Sequence, residues 1–272
     1  MSKKYSTYSK AALVLTALLL TVFTIIRLVL MQSYDAENGF YQNDSLHNVF
    51  RYSLIAMTVI VFAAAYIYIK EGKNQISLPE SRIIRIVSFF PVCVFTGFAV
   101  YCFAKLVLPM FERPGVADIV MMLLSIVSVL FFLSYEAKEK LGDSRALLCS
   151  APAIVLLALV FGLYFNPKVS YINHSVVLAF ATSIFLMLTT LAEANSILKR
   201  PALRRYLAYA PTAIVLSFAL SIPDIIFAIT NLNAPISDIY YDIIILSLGV
   251  YHLARLTAIA LEKPIEEEEA KK

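Results

Sequence analysis

Ionisable side chains interrupt the long apolar stretches of this sequence at two places, and the first set is Arg27, Asp224 and Asp242. A charged group inside hydrocarbon costs about 2.5–3.5 kcal/mol on insertion scales, so it requires a partner or a function. We predict that these residues and Tyr241 bind a ligand near one end of the molecule. Structural alternatives stay open: Arg27 can extend to lipid headgroups, Asp242 can favour the dipole of a helix start, or the two can form an ion pair.

The run Ser221-Ile-Pro223-Asp224 interrupts one of the apolar stretches. Proline has no backbone N–H and disturbs the preceding helical turn. The run therefore predicts either a broken helix, with Ser221 capping a new half, or a continuous helix with a kink. Broken helices at membrane depth often line binding sites. Under the first interpretation Asp224 faces a cavity, and under the second it lies near the interface.

The second set of polar residues is Glu193, Tyr251, His252 and Arg255. Residues three and four apart share a helix face, so the last three side chains of this set are predicted to project together. Glu193 is then a partner for Arg255 in an ion pair between two helices. A proton-responsive or anion-binding site is the alternative, because histidine titrates near neutral pH.

Residues with the spacing of a catalytic or metal site are missing from the sequence. No nucleophile with a base, no acidic metal motif and no glycine pattern for nucleotides is present, so we expect no enzyme activity and no cofactor. The three cysteines, Cys93, Cys102 and Cys149, lie in apolar stretches and are predicted to be buried hydrophobic residues. His47 and His174 lie on separate loops, which is weak evidence for zinc.

Composition identifies the class of protein to which these side chains belong. Of 272 residues, 60% are hydrophobic and 15% are charged, and the mean hydropathy is +0.77. A soluble domain is about 45–50% apolar and about 25% charged. This chain therefore has too much apolar surface for disorder or for one soluble core. We predict an all-α polytopic membrane protein, and the short basic clusters do not indicate nucleic-acid binding.

Eight apolar segments are long enough, or nearly so, to be spans of about 20 residues. They form a single predicted domain over residues 1–262, which is followed by a charged cytoplasmic tail at 263–272. The predicted spans are Ala11–Met31, Tyr52–Ile69, Ile86–Leu108, Ile119–Ser134, Ala146–Phe165, Ser175–Leu191, Leu207–Ile229 and Ile239–Leu261.

Lysine and arginine predict the orientation, because cytoplasmic loops carry an excess of both residues. With the N-terminus inside, 17 of the 23 basic residues lie in cytoplasmic segments and four lie outside. We therefore predict that both termini are cytoplasmic. Most of the 16 tyrosines lie near span ends, where they are expected to form aromatic belts, while Tyr101 and Tyr251 lie deeper.

The end of the first span and the following loop carry a resemblance. The residues are Arg27 followed by Tyr34-Asp35-Ala-Glu-Asn-Gly39-Phe40-Tyr41. They resemble a pattern in multispan membrane proteins of clostridia-type bacteria, in which a first helix with an arginine precedes an aromatic-Asp-x-x-x-Gly-apolar loop. The resemblance implies a bacterial cytoplasmic membrane, and it implies no activity.

Two functions are compatible with these features. The first is non-enzymatic binding, or transport, of a small solute or lipid, which buried ions and an interrupted helix favour. The alternative is an accessory or sensory subunit that acts on another membrane or cytosolic protein. The lipid bilayer is the partner expected in both cases.

Overall fold

A computed structural model describes residues 3–35, 40–69, 78, 81–108, 116–135, 141–165, 174–230 and 236–262. The predicted tail at 263–272 lies outside these residues. The helices are α1 (Lys3–Met31), α2 (Asp44–Tyr68), α3 (Arg82–Val87), α4 (Phe89–Val107), α5 (Val116–Leu133), α6 (Ser144–Tyr164), α7 (His174–Ile197), α8 (Leu203–Thr230) and α9 (Ile236–Leu261).

Every predicted span coincides with a helix, and α3 and α4 together make the third. Seven of the described helical stretches are long and apolar enough to cross a membrane. The helix α5 is shorter, with 18 residues, which give a length of about 27 Å at 1.5 Å per residue. The chain is an all-α polytopic membrane protein, as composition and segment length predict.

A short hairpin follows α1. Its strands are β1 (Tyr34–Asp35) and β2 (Phe40–Tyr41), which pair antiparallel with Tyr34 opposite Tyr41. Asn43 then caps α2, because its side chain accepts a hydrogen bond from the backbone N–H of Leu46 at 3.0 Å. The hairpin and this cap together hold Tyr41 between the start of α2 and the end of α1.

The helix α8 lies at the centre of the bundle and packs against α1, α2, α7 and α9. It is continuous from Leu203 to Thr230 and contains Pro211 and Pro223. The broken helix that Ser221 and Pro223 suggested is therefore wrong, and the alternative of a continuous helix is correct. Arg27 supplies the hydrogen bond that Pro223 removes, as described below.

Contacts between helix ends show that the long helices alternate in direction. Arg27 near the end of α1 bonds to Asp224 near the end of α8 and to Ser175 at the start of α7. At the opposite end, Tyr135 directly after α5 bonds to Glu193 near the end of α7. We call the end that contains Arg27 the outer end, following the charge distribution, and the other the inner end.

Candidate functional site

Arg27 is the centre of the outer end, and its side chain is fully buried. Its Nη2 donates to Asp224 Oδ1 at 2.7 Å, and its Nη1 donates to the carbonyl oxygens of Ala219 at 2.9 Å and Leu220 at 2.5 Å. In an uninterrupted helix the oxygen of Ala219 would accept from residue 223, but Pro223 has no N–H. The guanidinium supplies this oxygen with the donor that Pro223 lacks.

The remaining donors of Arg27 hold the hairpin and α7. Nε donates to the hydroxyl of Tyr41 at 3.2 Å, and Nη2 also donates to Ser175 Oγ at 3.2 Å. A guanidinium has five N–H groups, and here each has a protein acceptor. Arg27 therefore has no donor left for a ligand, and we assign it a structural role.

The other residues predicted to bind a ligand at this end are Asp224, Asp242 and Tyr241, and each has different surroundings. Arg27 pairs with Asp224 and is buried, so neither an extension to headgroups nor a pair with Asp242 describes it. Asp242 is buried and lies two turns into α9, because this helix begins at Ile236, earlier than the sequence indicates. The hydroxyl of Tyr241 bonds to Ser183 Oγ at 2.7 Å. Ligand binding by Asp224, Asp242 and Tyr241 stays a prediction.

A second buried ionic cluster lies at the inner end, around Glu193 of α7. Its Oε1 accepts hydrogen bonds from Tyr135 at 2.9 Å and Tyr251 at 2.5 Å, and it forms an ion pair with Arg255. All four side chains are almost completely buried. The structure thus brings Glu193 and Arg255 together across α7 and α9, and two tyrosines also donate to Oε1, while Oε2 is buried without a hydrogen-bond partner among the described residues.

His252 of α9 lies beside this cluster and bonds to side chains of α7 and α8. Its Nδ1 is 3.2 Å from the hydroxyl of Tyr206, and its Nε2 is 3.3 Å from Thr190 Oγ1. The guanidinium of Arg145 stacks 4.1 Å from the ring centre of Tyr135. These contacts connect α6, α7, α8 and α9, so the inner cluster holds the four helices together inside the bundle.

Sequence reasoning missed four participants in these two centres. Tyr41, Tyr135 and Tyr206 were assigned to aromatic belts, and Arg145 was counted as a loop cation. Their positions at span ends are consistent with both roles, so position along the chain alone does not separate them. Burial separates them, since Tyr206 and Arg145 are each no more than 2% exposed.

A cavity of about 610 Å³ lies between α2 and α7. It extends along α2 from His47 to Val59 and along α7 from His174 to Phe185, with Leu216 of α8 at its base. Both walls pack against α8. We call this cavity the α2–α7 groove.

The outer end of the α2–α7 groove is polar. The rings of His47 and His174 stack with centroids 3.7 Å apart, and the ring of Tyr41 lies 5.3 Å from His47. Arg51 of α2 completes this end. Because the hydroxyl of Tyr41 accepts a hydrogen bond from the buried Arg27, this arginine fixes the position of Tyr41 at the outer end of the groove.

The two histidines, which the sequence places on separate loops, are thus adjacent in space. A metal site generally needs three or more protein ligands. Within the part of the chain that the structure describes, no group of three or more His, Cys, Asp or Glu side chains is arranged for a metal. The stacked rings are better described as an aromatic lid over an apolar groove.

No protein-family model, curated protein or solved structure matches this chain.

Proposed function

We propose that this protein binds a lipid or another small apolar solute in the α2–α7 groove, in a bacterial cytoplasmic membrane, without chemical change to the ligand. The groove carries the proposal. Its volume lies within the range of about 300–1,000 Å³ that is typical of ligand sites, and its walls are apolar with a few polar groups at one end.

The position of the groove supports a ligand that enters from the bilayer. Ile55, Val59 and Val177 line it and are each more than half exposed. These side chains face hydrocarbon in a membrane, so the groove opens sideways toward lipid. In contrast, the donors of Arg27 and the bonds of Glu193 are directed at protein groups, which fits roles in holding the bundle around the groove.

The experiment uses a fluorescent reporter, since the natural chain contains no tryptophan. Phe185→Trp places one at the inner end of the groove. Leu18→Trp is the matched control, because Leu18 lies at the middle of its span, faces lipid and does not line the groove. Each variant is reconstituted in phosphatidylcholine bilayers, and a neutral monoacylglycerol with a brominated chain is added as a contact quencher.

Binding predicts a saturable quench of Phe185→Trp at low mole fractions of the brominated lipid. Leu18→Trp should be quenched only in proportion to the mole fraction. Ala181→Phe, which adds a ring inside the groove, should reduce the saturable part, while Ile184→Phe on the same helix should not. Identical quenching curves for the two reporters, with this neutral lipid and with charged single-chain lipids alike, would refute the proposal.

A further inference from the structure

We propose that the ligand of the α2–α7 groove is an amphiphile with one hydrocarbon chain and an anionic headgroup, which lies against Arg51 and His47. This inference rests on the proposed function and adds the chemistry of the ligand. The polar groups at the outer end of the groove indicate the headgroup, and the length of the groove indicates a single chain.

Arg51 differs from Arg27 and Arg255 in having no carboxylate partner among the described residues. Arg27 and Arg255 each pair with an acid. Among the described residues no carboxylate forms an ion pair with Arg51, whose guanidinium lies 6.0 Å from the ring centre of Tyr52. Arg51 is exposed and lines the groove at its outer end. A guanidinium there can donate two parallel hydrogen bonds to a carboxylate or phosphate.

His47 provides a second and independent observation at the same end. It is only 9% exposed, and its Nδ1 has no hydrogen-bond partner among the described residues. A buried polar atom without a partner costs about 1–3 kcal/mol, so a ligand oxygen at this position would stabilise the site. The guanidinium of Arg51, which has no ion-pair partner in the described part of the chain, and the unsatisfied nitrogen of His47 both line the polar end of the cavity, and together they favour an oxygen-rich anionic group.

The length of the groove favours a single chain. From His47 to Val59 the wall of α2 measures about 18 Å at 1.5 Å per residue. One leaflet contributes about half of the ~30 Å hydrocarbon core, so the groove matches the reach of one chain from the outer headgroups to the midplane. The inner end is closed where the ring of Phe185 meets that of Phe62, with centroids 6.1 Å apart. A single-chain amphiphile would place its headgroup at the polar outer end and the end of its chain near Phe185 at the apolar inner end.

The test compares two brominated single-chain lipids on the Phe185→Trp reporter. Lysophosphatidate is anionic, and lysophosphatidylcholine with the same chain is zwitterionic. We expect half-saturation at about a tenfold lower mole fraction for lysophosphatidate, as for one charge-assisted contact. Arg51→Gln should remove the preference and Arg51→Lys should keep most of it. His47→Phe keeps a stacked ring but lacks the nitrogen, so both lipids should bind more weakly.

The controls separate this inference from the proposed function. Lys105→Gln removes another cation predicted to lie on the outer side and should leave the preference unchanged. Excess inorganic phosphate should not displace the lipid, whereas displacement would indicate a site for a free anion and overturn the inference. Equal saturable binding of both lipids would overturn the anionic headgroup and leave the proposed function standing. Absence of saturable binding for every brominated lipid would refute both.

Discussion

The guanidinium of Arg27 donates a hydrogen bond to the carbonyl oxygen of Ala219, at a distance of 2.9 Å. This oxygen lies four residues before Pro223, so it has no N–H donor within its own helix. In hydrocarbon an unsatisfied backbone carbonyl costs several kcal/mol, because no water is available. A side chain of α1 therefore supplies α8 with the hydrogen bond that Pro223 removes.

Arg27→Lys should destabilise the protein, because an ammonium has three donors and Arg27 uses five. The expected loss is about 1–3 kcal/mol for the acceptors left unsatisfied. Pro223→Ala restores an N–H for Ala219, so the cost of Arg27→Lys should be smaller in that background. Thermal unfolding of the four variants in one detergent measures the coupling.

A second proline of the same helix provides the control for this cycle. Pro211 lies three turns away from Pro223 within α8, and no hydrogen bond joins it to Arg27. Pro211→Ala should therefore leave the cost of Arg27→Lys unchanged. Equal costs in the Pro223→Ala and wild-type backgrounds would show that the guanidinium does not replace the missing donor.

The sequence indicates that α8 is unusual at Pro223, but it does not indicate how the helix responds. The decisive partner is separated by 192 residues from Ala219. Local propensity favours a break or kink at a proline, whereas the donor for the oxygen that Pro223 leaves unsatisfied comes from a distant arginine. The apolar segments were predictable because their length is a local property, and this contact was not, because it depends on packing between helices.

Glu193 and Arg255 should show strong coupling in a double-mutant cycle. Arg255→Met or Glu193→Gln alone breaks a buried ion pair, which costs about 3–5 kcal/mol. The double variant should lose less than the sum, because no charge is left alone. The pair Lys105 and Asp118, at 3.2 Å, is about three-quarters buried and serves as the control; because solvent reaches both side chains, it should couple more weakly than the fully buried pair. Additive losses for the buried pair would contradict the assignment.

The inner cluster was only partly predictable. Tyr251 and Arg255 are four residues apart, so helical periodicity alone places them on one face of α9. Tyr135 and Arg145 come from the chain on either side of a loop, where the aromatic belt and cytoplasmic charge are equally good explanations. Only the packing of α5 against α6 and of α6 against α7 shows that these side chains turn inward.

A topology reporter should place both chain ends on the cytoplasmic side. The expectation rests on the 17 basic residues in predicted inside segments and on the alternation of helix directions through α9. A C-terminal fusion should give a cytoplasmic signal, and a fusion in the segment between α1 and α2, at 32–43, should give an outside signal. Opposite locations of the N- and C-terminal fusions would require one of the helices, with α5 the shortest candidate, not to cross the bilayer.

Gly249→Ala should destabilise the protein through the contact between α8 and α9. A Cβ at Gly249 would lie 2.6 Å from Ser217 Cβ, which is closer than carbon atoms approach without a shift of the helices. Small residues let membrane helices approach closely, and overpacking a well-packed contact costs about 1–3 kcal/mol. The midpoint of thermal unfolding in one detergent should fall accordingly.

The other helical glycines provide controls for this contact within the same chain. A Cβ at Gly97 or Gly162 meets nothing within 4 Å. Because alanine is the better helix former by about 1 kcal/mol, both substitutions should be neutral or slightly stabilising. Ser217→Gly should restore part of the stability of Gly249→Ala by removing the opposing Cβ. If Gly249→Ala melts at the same temperature as Gly97→Ala, then α8 and α9 do not approach each other at Ser217 and Gly249 as closely as the structure shows.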